Sequence, residues 1–157
     1  MISRLKINYL IIPLFVLITA SAASYFADVG MGWYKTLNLP SWTPSNSLMV
    51  VMWSVIFVLS SLSILIIWNR YSNQKHFGAI IALFILNALL IVGWNILFFS
   101  QQQMGLAFFQ AILLIADLVF LIMLIWPFCK VAAGLLVPYS LWASFATVLT
   151  FSVWMIN

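Results

Sequence analysis

The sequence predicts an all-α membrane protein, a bundle of five transmembrane helices with an ordered first loop as lid. Three observations predict it. Of 157 residues, 66% are hydrophobic and 5% charged, against roughly 25% charged in an ordinary soluble domain. Apolar runs of spanning length, about 20 residues, recur five times. Polar and helix-breaking residues collect between those runs. Five spans consume about 100 residues, so residues 1–157 read as a single five-helix domain without room for a second.

The first span covers about 8–27, with Pro13 near its start, where a missing N–H is tolerated. Arg4 and Lys6 precede it as in a signal peptide, but the run is of full spanning length and reads as a retained helix. Ala20 and Ser24, one turn apart, suit close packing against a neighbour. Residues 28–46 hold Gly30, Gly32, Pro40 and Pro44 among the aromatics Trp33, Tyr34 and Trp42. That mixture breaks helices yet offers apolar surface, and it reads as an ordered lid. The second span, about 47–68, ends at a polar connection with Arg70, Lys75 and His76; the third covers about 77–99. A Ser-Gln-Gln-Gln turn precedes the fourth, about 104–126, and the turn 127–130 leads to the fifth, about 131–156, where Pro138 is expected to introduce a kink.

The net charge of +4 rests on six scattered Lys and Arg residues, which fit membrane topology rather than nucleic-acid binding. Arg4, Lys6, Arg70, Lys75 and Lys130 fall on one side of the predicted bundle and Lys35 on the other. Cations accumulate in short cytoplasmic loops. The expected arrangement is a multi-pass protein of the cell membrane with a cytoplasmic N-terminus, the long loop and C-terminus outside, and the lipid bilayer as its constant partner.

Conventional catalytic constellations are lacking. The two acids, Asp28 and Asp117, lie in different settings, and the single histidine, His76, follows Lys75 in a turn. Paired-carboxylate, triad and clustered-ligand metal chemistry are unsupported, and no metal or required cofactor is expected. Cys129 is the only cysteine and cannot form an internal disulfide. No inverted pair of broken helices marks an ion-coupled transporter.

Two polar stripes remain. Gln103, Gln110 and Asp117 follow one another at seven-residue spacing, close to two helical turns. A charge at mid-span costs at least about 2.5 kcal/mol, so Asp117 is expected to face the interior, either lining a cavity or proton path or bonding helices together. Gln110, deeper than Gln103 and uncharged, points towards the cavity reading. On the third span Asn87 and Trp94 are likewise seven apart, with Phe98 one turn on; they either orient a polar group on a flat ligand or simply pack. Of the eight tryptophans, Trp68, Trp126 and Trp154 fall at span ends as interfacial anchors. Trp53 and Trp142 lie within their spans near the long loop, and an aromatic cluster there suits a flat apolar ligand or aromatic packing without one.

In their order along the chain these residues resemble the TspO/MBR family of tryptophan-rich sensory proteins, related to the mitochondrial translocator protein or peripheral benzodiazepine receptor. The markers are Trp33-Tyr34, Leu37, Pro40, Trp42 and Pro44, then Trp53, then Trp94 with Phe98-Phe99, Gln103-Met104-Gly105, Pro138-Tyr139, Trp142, Phe145-Ala146 and Val153-Trp154. The resemblance implies a five-helix fold with a first-loop lid over a pocket for porphyrins and benzodiazepine-site drugs, and a homodimer. It implies pocket roles for Tyr34, Pro44, Trp53, Leu106, Gln110, Trp142, Ala146 and Leu149. Ile91 stands where many relatives have Asn, and Asn87 where Gln is common. Phe151 and Met155 replace the Tyr and basic residue of the cholesterol-associated motif of animal members, so cholesterol recognition is not expected. The implied function is binding of a tetrapyrrole such as protoporphyrin IX, with light- and oxygen-dependent degradation through Trp53 and Trp142 as its catalytic form. A non-catalytic sensor or sequestering module, or a transporter of tetrapyrroles, is the alternative.

Overall fold

The computed structural model describes residues 7–157; Arg4 and Lys6, which contribute to the orientation expected from charge, lie outside the described residues. Five helices follow in order: α1 (Asn8–Tyr34), α2 (Asn46–Arg70), α3 (Phe77–Asn95), α4 (Met104–Ile125) and α5 (Lys130–Ile156), with a π-helical turn at Ile96–Ser100 extending α3. All five are long and apolar enough to cross a membrane, and no strand occurs among the described residues. A helix suits hydrocarbon because it satisfies its backbone N–H and C=O groups within the segment.

The helices close into a ring. α1 packs against α2 and α3, α2 against α5, α5 against α4, and α4 back against α3. Large side chains such as Leu10, Leu89, Leu113 and Leu141 point outward, 65–71% exposed for all but Leu113 at 60%, as lipid contact requires. Trp68, Trp126 and Trp154 are also exposed at helix ends, where interfacial indoles sit. Arg70, Lys75 and Lys130 lie at the end of the bundle where α2 stops and α3 and α5 begin, while Lys35 lies at the other, where α1 stops.

The half of the bundle nearer Arg70 is packed solid. Ile67, Ile80, Leu121, Ile125 and Leu136 are fully buried there, and Ala132 and Ala133 let α5 approach closely. Ser63 donates to the Ala132 carbonyl at 2.9 Å, and Asn8 donates to the Asn69 side chain at 2.8 Å, joining the start of α1 to the end of α2.

One expectation of the fold changes. α1 does not stop near residue 27 but runs to Tyr34, so Trp33 and Tyr34 are helical and the loop shrinks to residues 35–45. The cause is tertiary: a Cβ on Gly30 would collide with the Phe99 carbonyl, so glycine is there to let α1 lie against the π-turn, not to break the helix. α5 runs as one helix through Pro138. Ala107 and Ala111 of α4 are buried inside the bundle, while Gly78 and Ala82 of α3 face outward.

The Gly30 contact is open to test. Gly30→Ala is expected to lower stability by about 1 to 3 kcal/mol through overpacking, seen as earlier thermal unfolding in detergent. Gly32→Ala, with nothing within 4 Å of the added methyl, should leave the transition in place.

Candidate functional site

A cavity of about 370 Å³ occupies the other half of the bundle, lined by all five helices. It exists because two facing elements carry small residues at this depth. α1 contributes Ala20, Ala23 and Ala27, and α5 contributes Ala143 and Ala146. Thr147 and Thr150 of α5 also line it, but their hydroxyls are turned back onto the Ala143 and Ala146 carbonyls at 2.8 Å. These threonines therefore satisfy their own polar atoms within the helix.

Aromatic rings frame this space. Trp94 and Phe98 stack with centroids 4.9 Å apart and planes 8° off parallel. Phe98 meets Trp33 edge-on at 5.7 Å, and Tyr34 lies 5.5 Å from Phe99. The π-turn, closed by the Gln101 N–H donating to the Ile96 carbonyl at 2.8 Å, carries both Phe98 and Phe99 on the cavity wall. Such turns inside helices frequently mark functional sites. Trp53 lines the α2 side and reaches Tyr139 edge-on at 6.2 Å. The Trp94 indole N–H is buried and finds no acceptor among the described residues.

A buried polar chain lies one turn below the lining. Tyr139 donates to Asn87 Oδ1 at 2.8 Å, and Asn87 Nδ2 donates to Asp117 Oδ2 at 2.8 Å. The three residues sit beneath Ala143, Ile91 and Leu114, which do line the cavity. The chain ties α3, α4 and α5 together, and of the two readings of Asp117 the structure selects interhelical bonding. Gln110 behaves alike: its Nε2 donates to the Leu90 carbonyl at 3.0 Å, in a notch that exists because Gly93 has no Cβ to fill it.

The expected site residues thus divide. Tyr34, Trp53, Trp94, Phe98, Ala146 and Leu149 meet on the cavity. Asn87 and Gln110 are corrected to helix seams, since each spends its amide on another helix. Leu106 is corrected to the outer surface, 55% exposed, beside a separate shallow cleft with Trp154. Trp142 stacks on Phe145 at 5.1 Å, off the lining, and Pro44 stays in the loop, also off it. The loop itself contributes no lining residue. It is fastened to α5: Asn38 and Asn157 exchange two hydrogen bonds of 2.9 Å, and Trp42 meets Phe145 edge-on at 5.7 Å. The α1 alanines are what sequence reasoning missed as site residues; Ala20 signalled close packing, and the structure turns the same smallness into empty space. Among the described residues no group of three or more His, Cys, Asp or Glu could hold a metal ion.

The fold and site define a multi-pass membrane protein whose helices enclose an aromatic-framed internal cavity. The TspO/MBR family profile matches residues 10–155, and the chain belongs to that family. It is 38% identical over 136 residues to the tryptophan-rich protein TspO of Bacillus cereus, covering 86% of this chain and 87% of that protein. It is 31% identical over 135 residues to the membrane protein YtaB of Bacillus subtilis, covering 85% of each. With the human translocator protein the identity is 26% over 129 residues, covering 82% of this chain and 76% of that one.

The polar chain predicts a pattern of stabilities. Asp117→Asn keeps an acceptor for Asn87 and should cost little. Asp117→Leu strands the Asn87 amide and should cost about 1 to 3 kcal/mol, read as a drop in the thermal midpoint in detergent.

Proposed function

We propose that the cavity binds a flat, largely apolar tetrapyrrole such as protoporphyrin IX. The observation that carries this reading is the pairing of an alanine-faced space with a frame of indole and phenyl rings. A planar guest can lie against the small faces while stacking and dispersion hold its edges. The volume falls within the usual range of ligand sites, roughly 300 to 1,000 Å³. Family membership supports the reading, and benzodiazepine-site drugs would compete for the same space. The loop 35–45, fastened to α5, serves as its fixed cover. A homodimer belongs to the same reading, with Gly78 and Ala82 as an outward face that permits close helix approach.

Light- and oxygen-dependent degradation of the bound porphyrin is the second reading, and one placement favours it. Trp53 lines the cavity, where a photoexcited ring would touch its indole. Trp142, stacked on Phe145 off the lining, has no such contact. The catalytic role expected of both tryptophans is therefore assigned here to Trp53 alone.

Titration with protoporphyrin IX, followed by quenching of tryptophan fluorescence, tests the binding site. Ala146→Leu should weaken binding by about tenfold, equivalent to about 1.4 kcal/mol, by filling the space, whereas Leu106→Ala should leave it unchanged. Equal affinity in Ala146→Leu would remove the cavity from consideration. Under illumination, bleaching of bound porphyrin should be lost in Trp53→Phe and kept in Trp142→Phe; bleaching kept in both leaves a binding protein without chemistry.

A further inference from the structure

The cavity is closed unevenly. On α3, α4 and α5 its wall is made of residues buried in the bundle, among them Ile91, Phe98, Leu114, Ala143 and Val153. On α1 and α2 several lining residues are at the same time open to the outside: Ser24 and Asp28 on α1, and Asn46, Val50 and Ser54 on α2. Val50 is 66% exposed. A residue that borders an internal space and the exterior together marks an opening, and these five flank a slit between α1 and α2.

The depth of the slit follows from helix geometry. The 27 residues of α1 extend about 40 Å at 1.5 Å per residue, of which about 30 Å lie in hydrocarbon, leaving about 5 Å beyond it at each end. Counted back from Tyr34, Asp28 falls near the edge of the hydrocarbon and Ser24 roughly 10 Å inside it. The 25 residues of α2 place Asn46 at the headgroups, Val50 just inside and Ser54 roughly 8 Å inside by the same count. Ser24 and Ser54 therefore face each other's depth, and the slit opens onto acyl chains. The end of the bundle that faces water is filled instead. Leu37, Tyr34 and Met49 pack there with Phe98, Leu149 and Val153, and the loop above is held at Asn157 and Phe145.

We propose that the cavity is loaded sideways from the bilayer: its guest is a membrane-dissolved apolar molecule that enters between α1 and α2, in the leaflet on the side of the first loop. This rests on reading the cavity as a ligand site but not on the guest being a porphyrin. A cover fastened at two points can stay in place throughout, because the guest never crosses it. The hydroxyls of Ser24 and Ser54 give the slit polar edges within hydrocarbon, and that of Ser54 is satisfied by the Val50 carbonyl at 2.8 Å, so it adds no orphaned donor to the lipid face.

The test uses the full chain in liposomes, with Cys129→Ala removing the native thiol and Ala146→Cys placing one on the cavity wall. Pyrene maleimide, which partitions into the bilayer, should label that thiol readily, and a charged, membrane-impermeant thiosulfonate should not. Adding Ser24→Trp or, as a second narrowing variant, Val50→Trp should slow pyrene labelling about tenfold. Both positions are exposed, so the fold tolerates the larger ring. Asn157→Ala, which releases the loop, should leave the rate unchanged. Equal labelling by the charged reagent, or a rate indifferent to both narrowing variants and raised by Asn157→Ala, would overturn lateral entry. Because the probe is not a porphyrin, this labelling pattern without protoporphyrin IX binding would sink the proposed ligand and keep the portal.

Discussion

In hydrocarbon no water is available to a stray donor or acceptor, and most of the polar arrangement in this bundle follows from that constraint. Thr19, Ser144, Thr147, Thr150 and Ser152 return their hydroxyls to carbonyls one turn back in their own helices. Asn87, Asp117, Tyr139 and Gln110 reach across to other helices. Such bonds are worth about 0.6 kcal/mol on average in membranes, so their chief effect is to set which helix faces meet. Against that background the few unsatisfied atoms gain meaning. Among the described residues they are Ser60 Oγ, Ser100 Oγ, Asp117 Oδ1 and the indole N–H groups of Trp94 and Trp142, and of these residues Trp94 alone lines the cavity.

The cavity itself comes from a contrast in side-chain volume along the same helices. Towards Arg70, isoleucines and leucines from α2, α3, α4 and α5 interlock to complete burial. Towards the first loop, α1 and α5 turn alanines to the centre and the rings stand around them. The chain Tyr139–Asn87–Asp117 lies at the junction and holds three helices in register below the open half.

Much of this was legible beforehand. Hydropathy and punctuation alone placed five helices, and the ordered series from Trp33 to Trp154 pointed to the family to which the chain belongs. Helical spacing was less informative about the site. Asn87 and Trp94, seven apart on one stripe, part company in the structure: one bonds to neighbouring helices and the other frames the cavity. Gln110 and Asp117 share a stripe that faces α3 rather than the cavity. Periodicity reports which residues share a face, while the neighbour opposite that face is a property of the packed bundle. Gly30 misled for a related reason. A glycine among aromatics reads as a breaker, and only the Phe99 carbonyl pressed against it shows that it serves as a contact.

By itself the sequence determined that the chain lives in a membrane, that it crosses as helices, and how many times, because these depend on composition and run length, which are local quantities. Tertiary structure decided that α1 continues to Tyr34, that alanines rather than the predicted amides make the cavity wall, and that the wall opens between α1 and α2. Each of those outcomes depends on what lies across from a residue in a neighbouring helix, and for a ring in which α1 meets α3 and α2 meets α5 that neighbour is distant in the chain.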